Sequence, residues 1–133
     1  MVHELKVPGG CPYLTRPTLI NGRLRDLSLT DFKGKPLFVF FYQDEEESHE
    51  DFQQLIGDLK LLKKAGSEVL ACSTESSLVQ KEWMNSSHED GGLGGNKDIP
   101  LMSDRQGDLS KMFGIYDEDR GVCLRSILLV DDK

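Results

Sequence analysis

The sequence contains few cysteines, and those present lack the spacing of a metal site. Three thiols occur in 133 residues, at Cys11, Cys72 and Cys123, an odd number scattered along the chain. This usage argues against a cysteine-based zinc site and against the disulfide framework of a small secreted domain. We therefore expect reduced thiols and a cytoplasmic location.

Positive charge is also scarce. The chain carries 16 Lys and Arg residues against 23 Asp and Glu residues, a net charge of -7, so it lacks the basic surface that nucleic-acid binding requires. No apolar run is long enough to cross a bilayer, and the first residues show neither a signal-peptide nor a transit-peptide pattern. We expect one domain over residues 1–133 that binds neither nucleic acid nor membrane.

Histidine and glycine motifs that hold ions or phosphates are missing as well. His49 and His88 stand next to carboxylates, but each is a lone histidine without a second ligand at helical spacing, so no metal site is predicted. The glycine-rich residues 91–94 lack a preceding strand and a following helix, which a phosphate-binding loop needs. No cofactor is predicted.

The most informative segment that is present runs from an apolar strand into an acidic turn. Residues 36–42 are apolar at successive positions and predict a strand buried on both faces. Residues 44–47 are acidic, and from Phe52 the apolar residues follow helical spacing, with a possible capping box at Ser48 and Asp51. Because open α/β sheets place chemistry at the carboxyl ends of strands, this corner is the first place to look for a site.

The other patterns predict an α/β domain. Asn21-Gly22, between short predicted strands over 18–20 and 23–27, predicts a β-hairpin. Residues 68–73 predict a second buried strand, parallel to the first because a helix separates them. Further predicted elements are a helix over 76–85, a short strand over 99–102, a helix over 108–113 and one last strand over 122–130. Residues 131–133 resemble the start of a hairpin turn, so we expect a truncated C-terminus.

One further pattern is spread over much of the chain and consists of residues 25–35, the Phe40-Phe41-Tyr42 strand end, residues 68–70, Trp83, Asn85, residues 91–94 and 99–104, Gly121, Arg125 and residues 129–131. The order and identity of these residues together resemble the typical two-cysteine peroxiredoxins (AhpC/TSA), and the resemblance runs from about Cys11 to the last residue. It implies a thioredoxin-like fold, with a central mixed sheet flanked by helices and an N-terminal β-hairpin.

The resemblance also implies where catalysis would occur. In the family a peroxidatic cysteine in the first turn of the helix forms a thiolate, attacks a peroxide and becomes a sulfenic acid. Here Ser48 lies nearest that position, Asp51 lies near the family's glutamate, and Arg125 matches the arginine that supports the thiolate. The family's resolving cysteine belongs to a C-terminal tail that this sequence does not include. Since a serine hydroxyl is far less acidic than a thiol and cannot form a sulfenic acid, activity by the family mechanism is expected to be absent.

Three thiols and one arginine leave alternatives open. Cys72 lies within an apolar strand and is expected to be inert in the core. Cys123 lies two residues before Arg125, on the same face of the predicted strand, where a guanidinium would favour its thiolate. Cys11 lies in a loop beside Pro12 and is expected to be exposed. Arg125 itself is expected to pair with Asp51 or a neighbouring carboxylate, and Trp83 to serve packing.

Two functions follow. The first is an inactive family member that acts as an interaction or assembly module, as a homodimer or higher oligomer or through hetero-association with active peroxiredoxins. The alternative is a thiol-dependent peroxidase that uses a cysteine outside the family pattern, such as Cys123 or Cys11.

Overall fold

The fold is built on strands whose side chains alternate between two apolar layers. The computed structural model describes residues 2–5, 15–32, 34–43 and 46–130. The strands are β1 (Val2–Leu5), β2 (Thr15–Ile20), β3 (Arg23–Ser28), β4 (Leu37–Phe41), β5 (Glu68–Ser73), β6 (Leu101–Ser103), β7 (Tyr116–Asp117), β8 (Val122–Cys123) and β9 (Ser126–Val130). The helices are α1 (Glu46–Lys64), α2 (Ser77–Asn85) and α3 (Asp108–Met112), with short 3-10 turns at Leu29–Phe32 and His88–Asp90.

Seven of the strands form one mixed sheet in the order β1-β9-β4-β5-β6-β2-β3. β4 pairs in parallel with β5 and antiparallel with β9, so it is hydrogen-bonded on both sides. The parallel pairing of β4 and β5 across α1 confirms the strand-helix-strand unit expected from the sequence. The β2–β3 hairpin is also confirmed, with Asn21 and Gly22 both at positive φ in the turn.

Helices cover both faces of this sheet. Phe40 and Tyr42 at the end of β4 point into one apolar layer, together with Phe52 and Leu55 of α1 and Met84 of α2. The alternate residues of β4 point into the other layer, which includes Leu109 of α3 and Phe113 just after it. The period of two along β4 therefore gives each face of the sheet its own core. Within the described ranges, no helix is long and apolar enough to pass through a bilayer.

Three boundaries differ from the predictions. The run over 122–130 is not one strand: β8 pairs with β7 in a separate two-stranded sheet, and β9 joins the main sheet. Apolar periodicity cannot reveal this break, because no glycine or proline interrupts the run. β1, which pairs in parallel with β9, was not predicted at all. The short strand predicted over 99–102 is displaced to Leu101–Ser103.

The start of α1 also corrects the sequence prediction. The helix begins at Glu46, so Ser48 lies inside its first turn and does not act as the N-cap of a capping box with Asp51. Cys11 with its predicted loop and the turn predicted over 131–133 lie outside the described residues.

Candidate functional site

The corner between β4 and α1 is closed by a hydrogen bond from the backbone to Ser48. The backbone N–H of Gln43 donates to Ser48 Oγ at 3.1 Å, and Ser48 is 0% exposed. It lies on the same side of α1 as Phe52 and Leu55, four and seven residues later, which also pack inward. The possible capping role of Ser48 is therefore not observed, because the earlier helix start turns the hydroxyl inward.

Asp51 and Arg125 form the ion pair that the sequence suggested. Arg125 Nε lies 3.1 Å from Asp51 Oδ2, and the two side chains are 37% and 43% exposed. This pair joins α1 to the segment between β8 and β9. Because both groups reach solvent, the pair positions the two segments and contributes little to stability.

Gln43 connects the same corner to β8, a role that sequence analysis missed. Its Nε2 donates to the Cys123 carbonyl at 2.9 Å, and its Oε1 accepts from Arg120 Nη2 at 3.4 Å. A single glutamine after an apolar strand gives no sequence signal for such a bridge. It holds the β7–β8 hairpin against the carboxyl end of β4.

Cys123 is fully buried behind this corner, and its Sγ donates to the Tyr42 carbonyl at 3.3 Å. Burial away from water is the largest influence on the thiol and raises its pKa to about 12, while backbone hydrogen bonds lower it by less. The expectation that Arg125 would favour the thiolate is therefore wrong. Cys72 is confirmed as a buried core thiol, and burial raises its pKa well above the ordinary value. Cys11 lies outside the described residues.

Trp83 of α2 packs against three rings beside the corner. Its ring centroid lies 5.0 Å from that of Tyr42, 5.2 Å from that of His49 and 5.0 Å from that of Phe52. The indole Nε1 donates to the Gly91 carbonyl at 2.8 Å. The packing role predicted for Trp83 is confirmed, and the same contacts fix His49 at the second turn of α1.

A second residue that sequence analysis missed is Gln80, which lies beneath this aromatic cluster. Gln80 is buried on α2, four residues before the buried Met84. This spacing, which places both residues on the inward face of the helix, was the only sequence signal that Gln80 is buried. Gln80 Nε2 donates to the Met102 carbonyl at 2.8 Å and lies within hydrogen-bonding distance of Ser73 Oγ and the Tyr42 hydroxyl. Burial raises the pKa of the Tyr42 phenol.

The acidic segment before Ser48 lies largely outside the described part of the chain. Residues 44 and 45 lie outside the described residues, and for Glu46 and Glu47 the structure describes no side chain. Among the described residues, no group of three or more His, Cys, Asp or Glu side chains is arranged to hold a metal ion.

The arrangement of sheet and helices is that of the thioredoxin-like fold, as expected. The reduced two-Cys peroxiredoxin of Plasmodium vivax superposes with a TM-score of 0.84 at 24% identity, covering 92% of this chain and 65% of that one. Thioredoxin peroxidase I of Plasmodium yoelii superposes with a TM-score of 0.82 at 25% identity, covering 93% and 72%.

Sequence comparison gives the family. The pattern of the AhpC/TSA family matches residues 11–133. Peroxiredoxin-4 of Rattus norvegicus is 37% identical over 132 residues, 98% of this chain and 48% of that protein. Peroxiredoxin 2 of Drosophila melanogaster is 31% identical over 134 residues, 92% and 63% respectively. The chain belongs to the AhpC/TSA family of peroxiredoxins, and it spans about half the length of its peroxiredoxin-4 relatives.

Proposed function

We propose that this chain is a peroxiredoxin-family protein that does not act as a cysteine peroxidase and serves as an interaction or assembly module. The observation that carries the proposal is the buried Ser48 at the β4–α1 corner, where its Oγ accepts a hydrogen bond from the Gln43 N–H. No cysteine occurs between Tyr42 and Phe52, so this corner offers a hydroxyl in the place where a peroxidase needs a thiolate.

The chemistry of Ser48 supports this reading. A thiolate attacks the peroxide oxygen, displaces water or hydroxide and ends as a sulfenic acid. A serine oxygen has no corresponding oxidation step, and its proton is not lost near neutral pH. Arg125 Nε lies 3.1 Å from the Asp51 carboxylate. The guanidinium at this corner therefore forms an ion pair with a carboxylate.

The described thiols give the alternative function no support. Cys72 and Cys123 are buried, and burial raises both pKa values, which keeps them as unreactive thiols at neutral pH. Cys11 lies outside the described residues, so peroxide chemistry at Cys11 stays a prediction that experiment must test.

The assembly part of the proposal rests on the family and not on a contact seen here. Prx1a of Plasmodium yoelii, a structural relative with a TM-score of 0.81 at 24% identity, is described as forming an artifactual octamer when modified at its N-terminus. We propose that this chain associates with itself or with active peroxiredoxins, and that it does so in the cytoplasm.

A peroxide-trapping experiment tests the catalytic part. The reduced protein is treated with hydrogen peroxide in the presence of dimedone, and the intact mass is measured over time. We expect no rapid stoichiometric adduct on Cys11, Cys72 or Cys123. Fast labelling of one cysteine, located by peptide mapping, would favour the thiol-peroxidase alternative and contradict the proposal.

A pair of serine variants tests whether the corner keeps a working peroxide pocket. Ser48→Cys places a thiol at the corner, and Ser110→Cys places one at an equally buried serine in α3. We expect both folded variants to consume peroxide no faster than the parent chain, because a buried thiol at either place remains protonated. Rapid peroxide consumption by Ser48→Cys and not by Ser110→Cys would show that the peroxide pocket is intact and lacks only the cysteine.

The assembly part has its own measurement. Sedimentation velocity of the fluorescently labelled chain, alone and mixed with an unlabelled two-Cys peroxiredoxin, reports self-association and hetero-association separately. We expect the labelled chain to sediment as a species heavier than its 15.0 kDa monomer in at least one of the two samples. A monomer in both samples at tens of micromolar would overturn the assembly role and leave the catalytic test unaffected.

A further inference from the structure

The strand β1 lies far from the strand that follows it in the sequence. In the sheet order β1-β9-β4-β5-β6-β2-β3, four strands stand between β1 and β2. Neighbouring strands are about 4.8 Å apart, so the spacings from β1 to β2 add up to about 24 Å. The chain must therefore cross most of the sheet between its first two strands.

The strand directions lengthen this crossing. β1 runs parallel to β9 and β9 antiparallel to β4, whereas β2 runs antiparallel to β6, which is parallel to β5 and so to β4. β1 and β2 therefore point the same way. Leu5 ends β1 opposite Val130, which pairs with Leu37 at the start of β4, while Thr15 begins β2 beyond the carboxyl end of β6. The chain must return along the strands as well as cross them.

The connection between Leu5 and Thr15 is short for this path. It consists of residues 6–14, nine in all, which lie outside the described residues. Fully extended, the chain from Leu5 to Thr15 reaches at most about 33–36 Å, so a path that crosses about 24 Å of sheet and also returns along the strands leaves little slack. Gly9 and Gly10 within it lose much conformational freedom when they are held extended. A short connection under tension favours exchange of the attached element between two copies of a chain.

The pairing of β1 is one that a second copy can supply without change. Within the described ranges, β9 is the only strand that pairs with β1, from Val2 opposite Ile127 to Leu5 opposite Val130. The β9 edge of a second copy offers the same backbone groups in the same order. Exchange therefore keeps the hydrogen bonds of the parallel pair, and it frees the connection from crossing its own sheet.

We propose that β1 is exchanged between two copies of this chain, so that Val2–Leu5 of each copy pairs in parallel with β9 of the other. The partner is a second copy, and the interaction surface is the β9 edge of the main sheet. The exchanged dimer is one form of the self-association proposed above and rests on that proposal. It does not depend on Ser48, and so it stands apart from the proposed loss of peroxidase activity.

A disulfide across the β1–β9 pair shows which copy supplies β1. Glu4 and Leu129 are Cα partners, and partners in neighbouring strands lie about 4.8 Å apart, within the ~4.4–6.8 Å that a disulfide spans. The full chain with Glu4→Cys, Leu129→Cys and Cys11→Ser is refolded as an equal mixture of nitrogen-14 and nitrogen-15 protein at tens of micromolar and then oxidised. We expect a covalent dimer whose linked peptides join a light chain to a heavy one. A monomer with an internal disulfide would overturn the exchange.

A variant that is out of register is the control for chance collisions. Glu4→Cys with Ile127→Cys places the second thiol two residues away from the partner of Glu4, about 8 Å from it and beyond the reach of a disulfide. We expect little cross-linking in this variant. Equal yields of covalent dimer from the two variants would overturn the proposed pairing.

Lengthening the connection tests whether tension drives the exchange. Insertion of about six Gly and Ser residues after Gly9 gives the chain enough length to place β1 on its own β9. We expect the dimer dissociation constant, measured by sedimentation velocity, to rise at least about tenfold. The same insertion after Gly95, an exposed residue beyond α2, should leave it unchanged, and equal effects of the two insertions would overturn the proposal. A parent dimer that carries the internal disulfide would refute the exchange alone, whereas a monomeric parent chain would refute self-association as well.

Discussion

Buried sulfur is the feature whose chemistry is most tightly determined by the fold. With the pKa of Cys123 raised to about 12, only about one molecule in 10⁵ carries the thiolate at pH 7. We expect iodoacetamide to label Cys72 and Cys123 very slowly in the folded chain and rapidly in urea, because the thiolate is the nucleophile. Peptide-resolved mass spectrometry checks this, and labelling of folded Cys123 within minutes would contradict it.

The same burial makes stability depend on alkaline pH. The Cys123 pKa rises from its ordinary 9.0 in the unfolded chain to about 12 in the folded chain. Between these values the folded state holds the proton that the unfolded state has lost. The free energy of unfolding therefore falls as pH rises, by about 1.4 kcal/mol per pH unit for each such thiol. Urea denaturation at several pH values measures the slope.

A cysteine variant is the control for this pH dependence. Cys123→Ala removes one titrating group and, between about pH 9 and 10, below the ordinary pKa of Tyr42, should roughly halve the slope if Cys72 contributes equally, whatever its effect on stability at neutral pH. If the slope is unchanged, other groups cause the loss of stability at alkaline pH. The first candidate is the buried Tyr42 phenol, whose pKa is raised.

Two aspartates show how exposure decides the value of an ion pair. Asp51 is 43% exposed in its pair with Arg125, whereas Asp104 is 0% exposed and lies 3.3 Å from Arg16 Nε. Asp104 also accepts from the backbone N–H of Leu109 and Ser110 at the start of α3. We expect Asp51→Asn to cost less than about 1 kcal/mol and Asp104→Asn about 3–5 kcal/mol, measured by urea denaturation. Equal costs would show that exposure does not separate the two pairs.

For individual residues, the sequence predicted some contacts and missed others. The Asp51–Arg125 pair was predictable because opposite charges had only to be brought together by a family-like fold. Gln43 and Gln80 were not predictable, since a neutral amide has no charge pattern, and its role depends on which carbonyl happens to lie within reach.

Among the elements, two glycines offer a matched comparison. Gly22 has φ of 81° in the β2–β3 turn, and an added Cβ would lie 3.1 Å from Lys97 Cε. Gly57 is exposed within α1, and an added Cβ would meet nothing within 4 Å. We expect Gly22→Ala to destabilise the chain by about 1–2 kcal/mol and Gly57→Ala to stabilise it by about 0.5–1 kcal/mol. Thermal denaturation of both variants checks the opposite signs.

Elements with a strong local signal were predicted, and those set by distant partners were not. The β2–β3 turn has residues that accept positive φ, and α1 has a regular apolar stripe, so both followed from the sequence. The break between β8 and β9 is imposed by pairing partners: Cys123 lies opposite Tyr116, and Ser126 lies opposite Phe41. β1 likewise depends on its pairing with β9 and has little signal of its own.

For the whole molecule, the order of strands predicts a gradient of stability. β4 has neighbours on both sides and fills both apolar layers, whereas β3 has β2 as its only strand partner among the described residues and presents exposed side chains to solvent. Amide exchange requires opening of the hydrogen bonds, and a strand held from both sides opens only with the core. We expect β4 and β5 to exchange slowest and the edge strands β1 and β3 fastest among the strands of the main sheet.

Hydrogen exchange followed by mass spectrometry measures this gradient directly, and it also tests the proposed assembly. If copies of the chain, or an active peroxiredoxin, pair along β3, its amides become slow to exchange at high protein concentration and fast on dilution, because a new strand would add to that edge of the sheet. If association uses another surface, β3 stays fast at every concentration while protection appears elsewhere. Fast exchange in β4 would contradict the prediction that this central strand is the most stable, whether or not the chain assembles.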